Sequence, residues 1–227
     1  MTASGPVEPT ADIRVLLVDD QDLFREGVRV IVDAQEGMGV VGTAGDGEEA
    51  VRMVAELEPD VVLMDIRMPV MDGVEATRRI FAGDAPARRT PVRVVVLTTF
   101  NLDDRAATAI RHGASGFLLK DTTPAQLRDA IRTVHAGNAV LAPTDLVTLL
   151  DSAVVTPDPP PAAFTGLTDR EREVFDAVAR GLSNAEIAAR VFTSESTVKT
   201  HVGAILRKLA LRDRVQIVVF AHEHGLV

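Results

Sequence analysis

Val61-Val62-Leu63-Met64-Asp65 sets four apolar residues ahead of one carboxylate, and the first half of the chain repeats that arrangement with other polar residues at the stop. Val15-Leu16-Leu17-Val18 stops at Asp19-Asp20, Val94-Val95-Val96-Leu97 at Thr98, and Gly116-Phe117-Leu118-Leu119 at Lys120. Short apolar runs alternating with helical patterns read as buried strands of a parallel sheet. The C-terminal ends of such strands share one edge, and ligands bind there. Three carboxylates, a hydroxyl and an ammonium gathered at that edge describe a divalent-cation and phosphoryl site.

The segments between the runs carry helix signals. Asp22 to Ala34 places Leu23, Val30 and Ile31 at helical spacing. Asp46-Gly47-Glu48-Glu49 reads as a capping box opening a helix from Ala50 to Leu57, which Pro59 ends. Gly73 to Phe81 and Asp103 to Arg111 follow the third and fourth strands. Thr123-Pro124-Ala125-Gln126 supplies an N-cap, a proline at the first helical position and Gln at N3 for a helix to His135. Five βα units predict a doubly wound α/β domain, in which right-handed crossovers bring the loops after strands one, three, four and five together.

Composition bounds the rest. The 227 residues include no cysteine, which excludes a disulfide scaffold and fits a reducing cytosol. Met1 to Thr10 has neither basic residues nor an apolar core, and no stretch reaches the roughly 18 apolar residues of a membrane helix. A soluble cytoplasmic protein with no membrane partner is expected. Residues 1–150 hold 15 Lys and Arg against 23 Asp and Glu, a net of −8, whereas residues 166–227 hold nine basic and eight acidic residues, a net of +1. Between them, Thr156 to Ala163 contains four prolines in eight positions and favours an extended linker.

The C-terminal part reads as four helices. Thr168-Asp169-Arg170-Glu171 is a capping box for a helix with Val174, Phe175 and Val178 on one face, closed by Gly181. Ser183-Asn184-Ala185-Glu186 is a second capping box, with Ile187, Ala188 and Val191 apolar. A third helix starts at Ser194 or Glu195, buries Val198, Val202, Ile205, Leu206 and Leu209, and leaves Thr197, Lys199 and Thr200 near its outer N-terminal face. The fourth spans Arg212 to Glu223. A short helix, a tight turn and a helix with polar residues at its start form a helix-turn-helix.

The acid cluster has a chemical requirement. Two carboxylates about 4 Å apart repel by roughly 4 kcal/mol at an effective dielectric near 20, so a third nearby needs a compensating cation or proton. A hard cation of the Mg2+ type takes oxygen ligands and favours a phosphate partner. An aspartate can also act as nucleophile and form an acyl phosphate, with the metal and Lys120 neutralising its oxygens.

Residues 12–136 resemble the receiver domain of two-component response regulators. The resemblance rests on Asp19-Asp20, Met64-Asp65-Ile66-Arg67-Met68-Pro69-Val70-Met71-Asp72-Gly73, Leu97-Thr98-Thr99 and Gly113-Ala114-Ser115-Gly116-Phe117-Leu118-Leu119-Lys120. It implies that Asp65 is the phosphoacceptor, that Asp20 and Asp65 bind Mg2+ with Asp19 assisting and the Arg67 carbonyl completing the site, and that Thr98 and Phe117 form a switch pair. Residues 166–227 are similar to the LuxR-type DNA-binding domain through Leu167 to Val174, Gly181 to Ala188, Thr197 to Val202, Lys208-Leu209 and Arg212-Asp213-Arg214. The pairing resembles the NarL/FixJ family. It implies that Lys199 and Thr200, beside Thr197, face bases, that Lys208 and Arg214 contact the DNA backbone, that Glu171 and Glu186 are scaffold residues, and that the last helix supplies a dimer contact.

The expected organisation is therefore a disordered segment 1–11, a receiver 12–136, a linker 137–165 with a short helix and the Pro-rich stretch, and a helix-turn-helix domain 166–227. The expected function is a phosphorylation-dependent transcription regulator, not an enzyme beyond self-phosphorylation and self-dephosphorylation at Asp65. Its implied partners are a histidine kinase, promoter duplex DNA and a second copy of itself. A constitutive dimeric DNA-binding protein and an aspartate-based phosphohydrolase are the alternatives. Three positions depart from the family pattern: Ala210 stands where glycine is usual and, if left-handed, costs about 1 to 2 kcal/mol; Thr193 replaces an aliphatic residue; Gly203 replaces a basic one.

Overall fold

A computed structural model describes residues 13–82, 91–99, 104–138 and 159–227. The segment 1–11 and residues 156–158 of the Pro-rich stretch lie outside the described residues; Pro159, Pro160 and Pro161 are exposed. Five strands, β1 (Ile13–Val18), β2 (Met38–Ala44), β3 (Val61–Asp65), β4 (Arg93–Thr98) and β5 (Gly116–Leu119), pair in parallel in the order β2-β1-β3-β4-β5. The crossovers are α1 (Asp22–Asp33), α2 (Gly47–Leu57), α3 (Gly73–Ala82) and α4 (Asp104–Arg111), and α5 (Pro124–His135) follows the last strand.

The two-residue period of a strand divides the core into two layers. Leu16, Val18, Val62, Met64, Val94 and Val96 meet Ala50 and Val54 of α2, Ala76 and Ile80 of α3, and Ala106 and Ile110 of α4. Val15, Leu17, Val61, Leu63, Val95 and Leu97 meet Val28 and Val32 of α1 and Leu127, Ile131 and Val134 of α5. The inner strands are thus apolar on both faces, as their continuous runs predict.

Two local expectations need correction. On α1 the buried face is Val28 and Val32, while Leu23 and Val30 are 87% and 68% exposed, because helical phase rather than hydropathy decides which side meets the sheet. At α2, Asp46 accepts from the Glu48 and Glu49 amides, but the Glu49 carboxylate returns to the Gly45 amide, one residue before the cap. The capping box at Thr123 forms in full.

The second domain contains α6 (Ala162–Thr165), α7 (Asp169–Ala179), α8 (Asn184–Arg190), α9 (Glu195–Lys208) and α10 (Arg214–Glu223). Both predicted capping boxes, at Thr168 and Ser183, are present. The last helix begins later than Arg212, because the Asp213 side chain accepts from the Gln216 amide and is the N-cap. Packing also begins before residue 166. The Phe164 ring lies 5.0 Å from Phe175 and 6.0 Å from Phe220, with the Arg172 guanidinium 4.5 Å from its centre. Among the described residues no helix is long and apolar enough to cross a membrane.

Candidate functional site

The strand order reverses direction between β1 and β3, and the loops there diverge to leave a crevice. Register aligns Val18 with Met64, Asp65 with Leu97 and Thr98 with Leu119, so the residues that end these strands arrive side by side. Asp19, Asp20 and Asp65 bring carboxylate oxygens within 4.8 Å of one another, with Asp19 and Asp65 buried and Asp20 exposed. Lys120 Nζ bridges the two buried acids, 2.6 Å from Asp19 and 3.0 Å from Asp65. Thr98 is buried at the same edge, and Phe117 is partly buried against the core beneath it.

Backbone contacts set these groups in place. The Ile66 amide donates to Asp65 at 2.8 Å and the Gln21 amide to Asp19 at 2.9 Å, which fixes one oxygen of each carboxylate. The Asp65 carbonyl passes so close to Gly73 that a Cβ there would lie 1.9 Å from it, which explains the glycine ending Met71-Asp72-Gly73. Between them, the Met71 amide donates to Pro69 at 2.7 Å across Val70, whose φ is +64°. This γ-turn places a β-branched residue at positive φ beside the Asp65 loop.

Burial pushes the Asp65 carboxyl above its ordinary value; Lys120 opposes that shift and the Asp19 charge adds to it. Lys120 is raised in turn, because its hydrogen bonds to Asp19 and Asp65 outweigh burial. Three carboxylates against one ammonium leave a net negative site. The second buried oxygen of Asp19 meets the Lys120 ammonium at 2.6 Å. An oxygen-rich, under-neutralised cluster of this kind fits a hard divalent cation, which Asp19, Asp20 and Asp65 would hold. Arg67 is exposed next to it.

Sequence reasoning passed over two neighbours. The Phe24 ring covers Lys120, with Nζ 4.9 Å from its centre. The Arg25 guanidinium donates to the Asp19 carbonyl and pairs with Asp22. Their signal is the spacing of Asp22 and Arg25 one helical turn apart at the start of α1.

In the second domain α8 and α9 form the helix-turn-helix. Val198 and Ile205 anchor α9, while Lys199, Thr200 and Gly203 are exposed and Thr197 is partly so. The Ser194 hydroxyl caps the helix through the Thr197 amide. Lys208 and Arg214, expected at the DNA backbone, also have partners inside the domain. Lys208 Nζ is 2.6 Å from Glu171 and donates to the Gly166 carbonyl, and its hydrogen bond, with that of the Thr168 backbone, holds the Glu171 carboxyl at about 2. The Arg214 guanidinium is buried and donates to Asn184 Oδ1 and the Leu182 carbonyl. Both cations make contacts within the domain, Lys208 from an exposed position and Arg214 from a buried one. Ala210 is left-handed, with φ of +55°, as its position implies.

Residues 15–132 match the family described as the response regulator receiver domain, and residues 165–221 match the bacterial regulatory proteins of the luxR family. Over 217 residues the chain is 42% identical to the uncharacterized transcriptional regulatory protein YxjL of Bacillus subtilis, covering 95% of this chain and 97% of that one. It is 38% identical over 215 residues to the response regulator protein VraR of Staphylococcus epidermidis, covering 95% and 99%. Among solved structures, the response regulator ChrA of a heme-sensing two-component system shares 34% identity over 96% of this chain and 100% of that one, with a TM-score of 0.50. The receiver domain of the response regulator NarL from Mycobacterium tuberculosis shares 34% identity over 56% of this chain and 98% of its own, with a TM-score of 0.52. Matched in both domains and along nearly its whole length, the chain belongs to the NarL/LuxR-type response regulators, which join a receiver to a LuxR-type DNA-binding domain.

Proposed function

We propose that this response regulator takes a phosphoryl group on Asp65 from a histidine kinase and binds promoter DNA as a homodimer when so modified. The observation that carries the reading is the bridge from Lys120 Nζ to Asp19 and Asp65, at 2.6 and 3.0 Å, at the sheet edge where Thr98 also ends. Mg2+, bound by Asp19, Asp20 and Asp65 with the Arg67 carbonyl, would neutralise the phosphoryl oxygens. One Asp65 oxygen attacks phosphorus, the new O–P bond replaces the P–N bond of the donor phosphohistidine, and the electron pair leaves on the imidazole. Lys120 loses its Asp65 partner as that carboxylate becomes an acyl phosphate, and its ammonium can turn to the phosphoryl oxygens. The Thr98 hydroxyl would donate to the same group, with Phe117 following it inward. Thr197, Lys199 and Thr200 are the proposed base-facing residues, and the cytoplasm is the proposed setting.

Acetyl phosphate with Mg2+ tests the chemistry. One base-labile phosphoryl group on the wild-type chain, absent from Asp65→Asn, is expected; labelling that persists in Asp65→Asn would contradict the assignment.

The exposed face of α9 favours a second reading, in which DNA binding is constitutive. Equal DNA affinity with and without the phosphodonor would select it.

A further inference from the structure

The Lys120 ammonium is enclosed by more than the acid pair. Its side chain is 9% exposed, and Nζ stands 2.6 Å from Asp19, 3.0 Å from Asp65 and 4.9 Å from the centre of the Phe24 ring, over its face. An ammonium has three N–H donors, and the two carboxylates account for two of them. On the Phe24 side the charge meets the negative face of an aromatic quadrupole instead of water. An aliphatic side chain at position 24 would desolvate the ammonium without compensating it.

The fold gives the ring a defined seat. Phe24 lies in the first turn of α1, where the Gln21 amide donates to Asp19 at 2.9 Å and the Arg25 guanidinium donates to the Asp19 carbonyl. These contacts fasten the backbone of that turn to the end of β1. The half-buried ring packs on the layer formed by Leu17, Val28, Leu63 and Leu97 and leaves a cavity of about 10 Å3 there, at the lower limit for a single water.

We infer that Phe24 is a positioning residue for phosphoryl transfer, its ring holding the Lys120 ammonium beside Asp65 before the phosphoryl group arrives. The inference rests on Asp65 being the phosphoacceptor. In that step an Asp65 oxygen forms a bond to phosphorus, the bond from phosphorus to the donor's leaving atom breaks, and the electron pair departs on that atom. Negative charge is spread over the phosphoryl oxygens meanwhile, and a cation already in place stabilises it without reorganising. A lysine side chain has a flexible four-carbon stem and loses much rotamer freedom when fixed. A contact that fixes it beforehand removes that cost from the barrier. Asp19 and Asp65 hold the ammonium by charge, and Phe24 closes the side they leave open.

Fluorine draws electron density from the ring face and leaves the ring's size nearly unchanged. Full-length chains carrying phenylalanine with one, two or three fluorines at position 24, placed by amber suppression, therefore weaken the attraction in steps. The second-order rate of Asp65 phosphorylation by acetyl phosphate with Mg2+ should fall at each step, by roughly 5-fold at three fluorines. Phe24→Leu should fall at least as far, and Phe24→Trp, whose indole is the strongest such partner, should stay well above Phe24→Leu. A side chain that merely filled space would show no gradient. Without phosphodonor, ring-current shielding should shift the Lys120 Hε protons upfield in the wild type, and the shift should vanish in Phe24→Leu. A flat rate across the fluorine series, or Lys120 Hε shifts that Phe24→Leu leaves in place, would overturn the positioning role while Asp65 stands as the phosphoacceptor. A wild type that takes no phosphoryl group would overturn the phosphoacceptor reading and the positioning role together.

Discussion

The Lys120 amide donates to the Thr98 carbonyl at 2.8 Å, so the residues carrying the site's ammonium and hydroxyl are tied backbone to backbone where β4 and β5 end. The two backbones are held together there, while each side chain keeps its own torsions. A phosphoryl group that draws on both acts on a single structural unit.

The acid cluster crowds like charges. Asp20 is its exposed member, and Asp20→Asn removes one like charge from a group whose oxygens lie within 4.8 Å. Without divalent cation this variant should be more stable by about 1 kcal/mol, because exposed pairs repel only weakly. It should also lose most of the thermal stabilisation that Mg2+ gives the wild type. Thermal melts across an Mg2+ series check both effects.

Asp65 sets a pH dependence. Its folded-state carboxyl is raised above 3.8 by burial, so the protonated form is favoured by folding. Its contribution to stability is complete below the unfolded value and is lost as pH rises through the raised one. Nucleophilic and metal-binding capacity runs the opposite way. Phosphorylation by acetyl phosphate should fall on acidification with a midpoint above 3.8, provided folding is intact by circular dichroism.

Ala210 and Val70 hold left-handed backbone at φ of +55° and +64°. Replacing each by glycine relieves about 1 to 2 kcal/mol of strain and returns part of it as unfolded-chain entropy. A net gain of about 1 kcal/mol is expected for each, the larger at the β-branched Val70, read as a melting temperature higher by about 2 to 4 °C.

Variants of Arg214 and Lys199 would separate bracing from the proposed DNA contact. Arg214→Ala leaves the Leu182 carbonyl and Asn184 without their guanidinium and should lower the melting temperature. Lys199→Ala, at an exposed position, should leave the melt unchanged and weaken DNA binding. If Lys199 meets a phosphate instead of a base, the loss is uniform across sequences and the salt slope falls by about 0.9. Anisotropy titrations over a salt series distinguish the two.

Phe164 places the edge of the second domain upstream of residue 166. Its ring fills a three-phenylalanine contact with Phe175 and Phe220, so Phe164→Ala should cost about 3 to 5 kcal/mol. A fragment beginning at Pro159 should be correspondingly more stable than one beginning at Gly166 in urea melts.

Strand ends were the most legible feature of the sequence. Where Asp19, Asp65, Thr98 and Lys120 close apolar runs, a parallel sheet leaves one arrangement for them, and the structure brings them to one edge. Capping boxes at Thr123, Thr168 and Ser183 were equally plain, since the signal and the contact lie within one turn. The phase of α1 was not, because Leu23 and Val30 satisfy the apolar pattern while facing solvent. Arg214 was expected at the DNA backbone through the resemblance, with no local sign that Leu182 and Asn184 would accept from it. The contact between Ser115 and Asp213 joins residues 98 positions apart, and no periodicity encodes it.

The central claim is that phosphorylation of Asp65 controls DNA binding. Affinity and oligomeric state of wild type and Asp65→Asn, measured at fixed salt with and without Mg2+ and acetyl phosphate, test it most directly. A gain in affinity and dimerisation confined to the phosphorylated wild type is predicted. Equal binding by all four samples would contradict the account and leave the receiver as a scaffold.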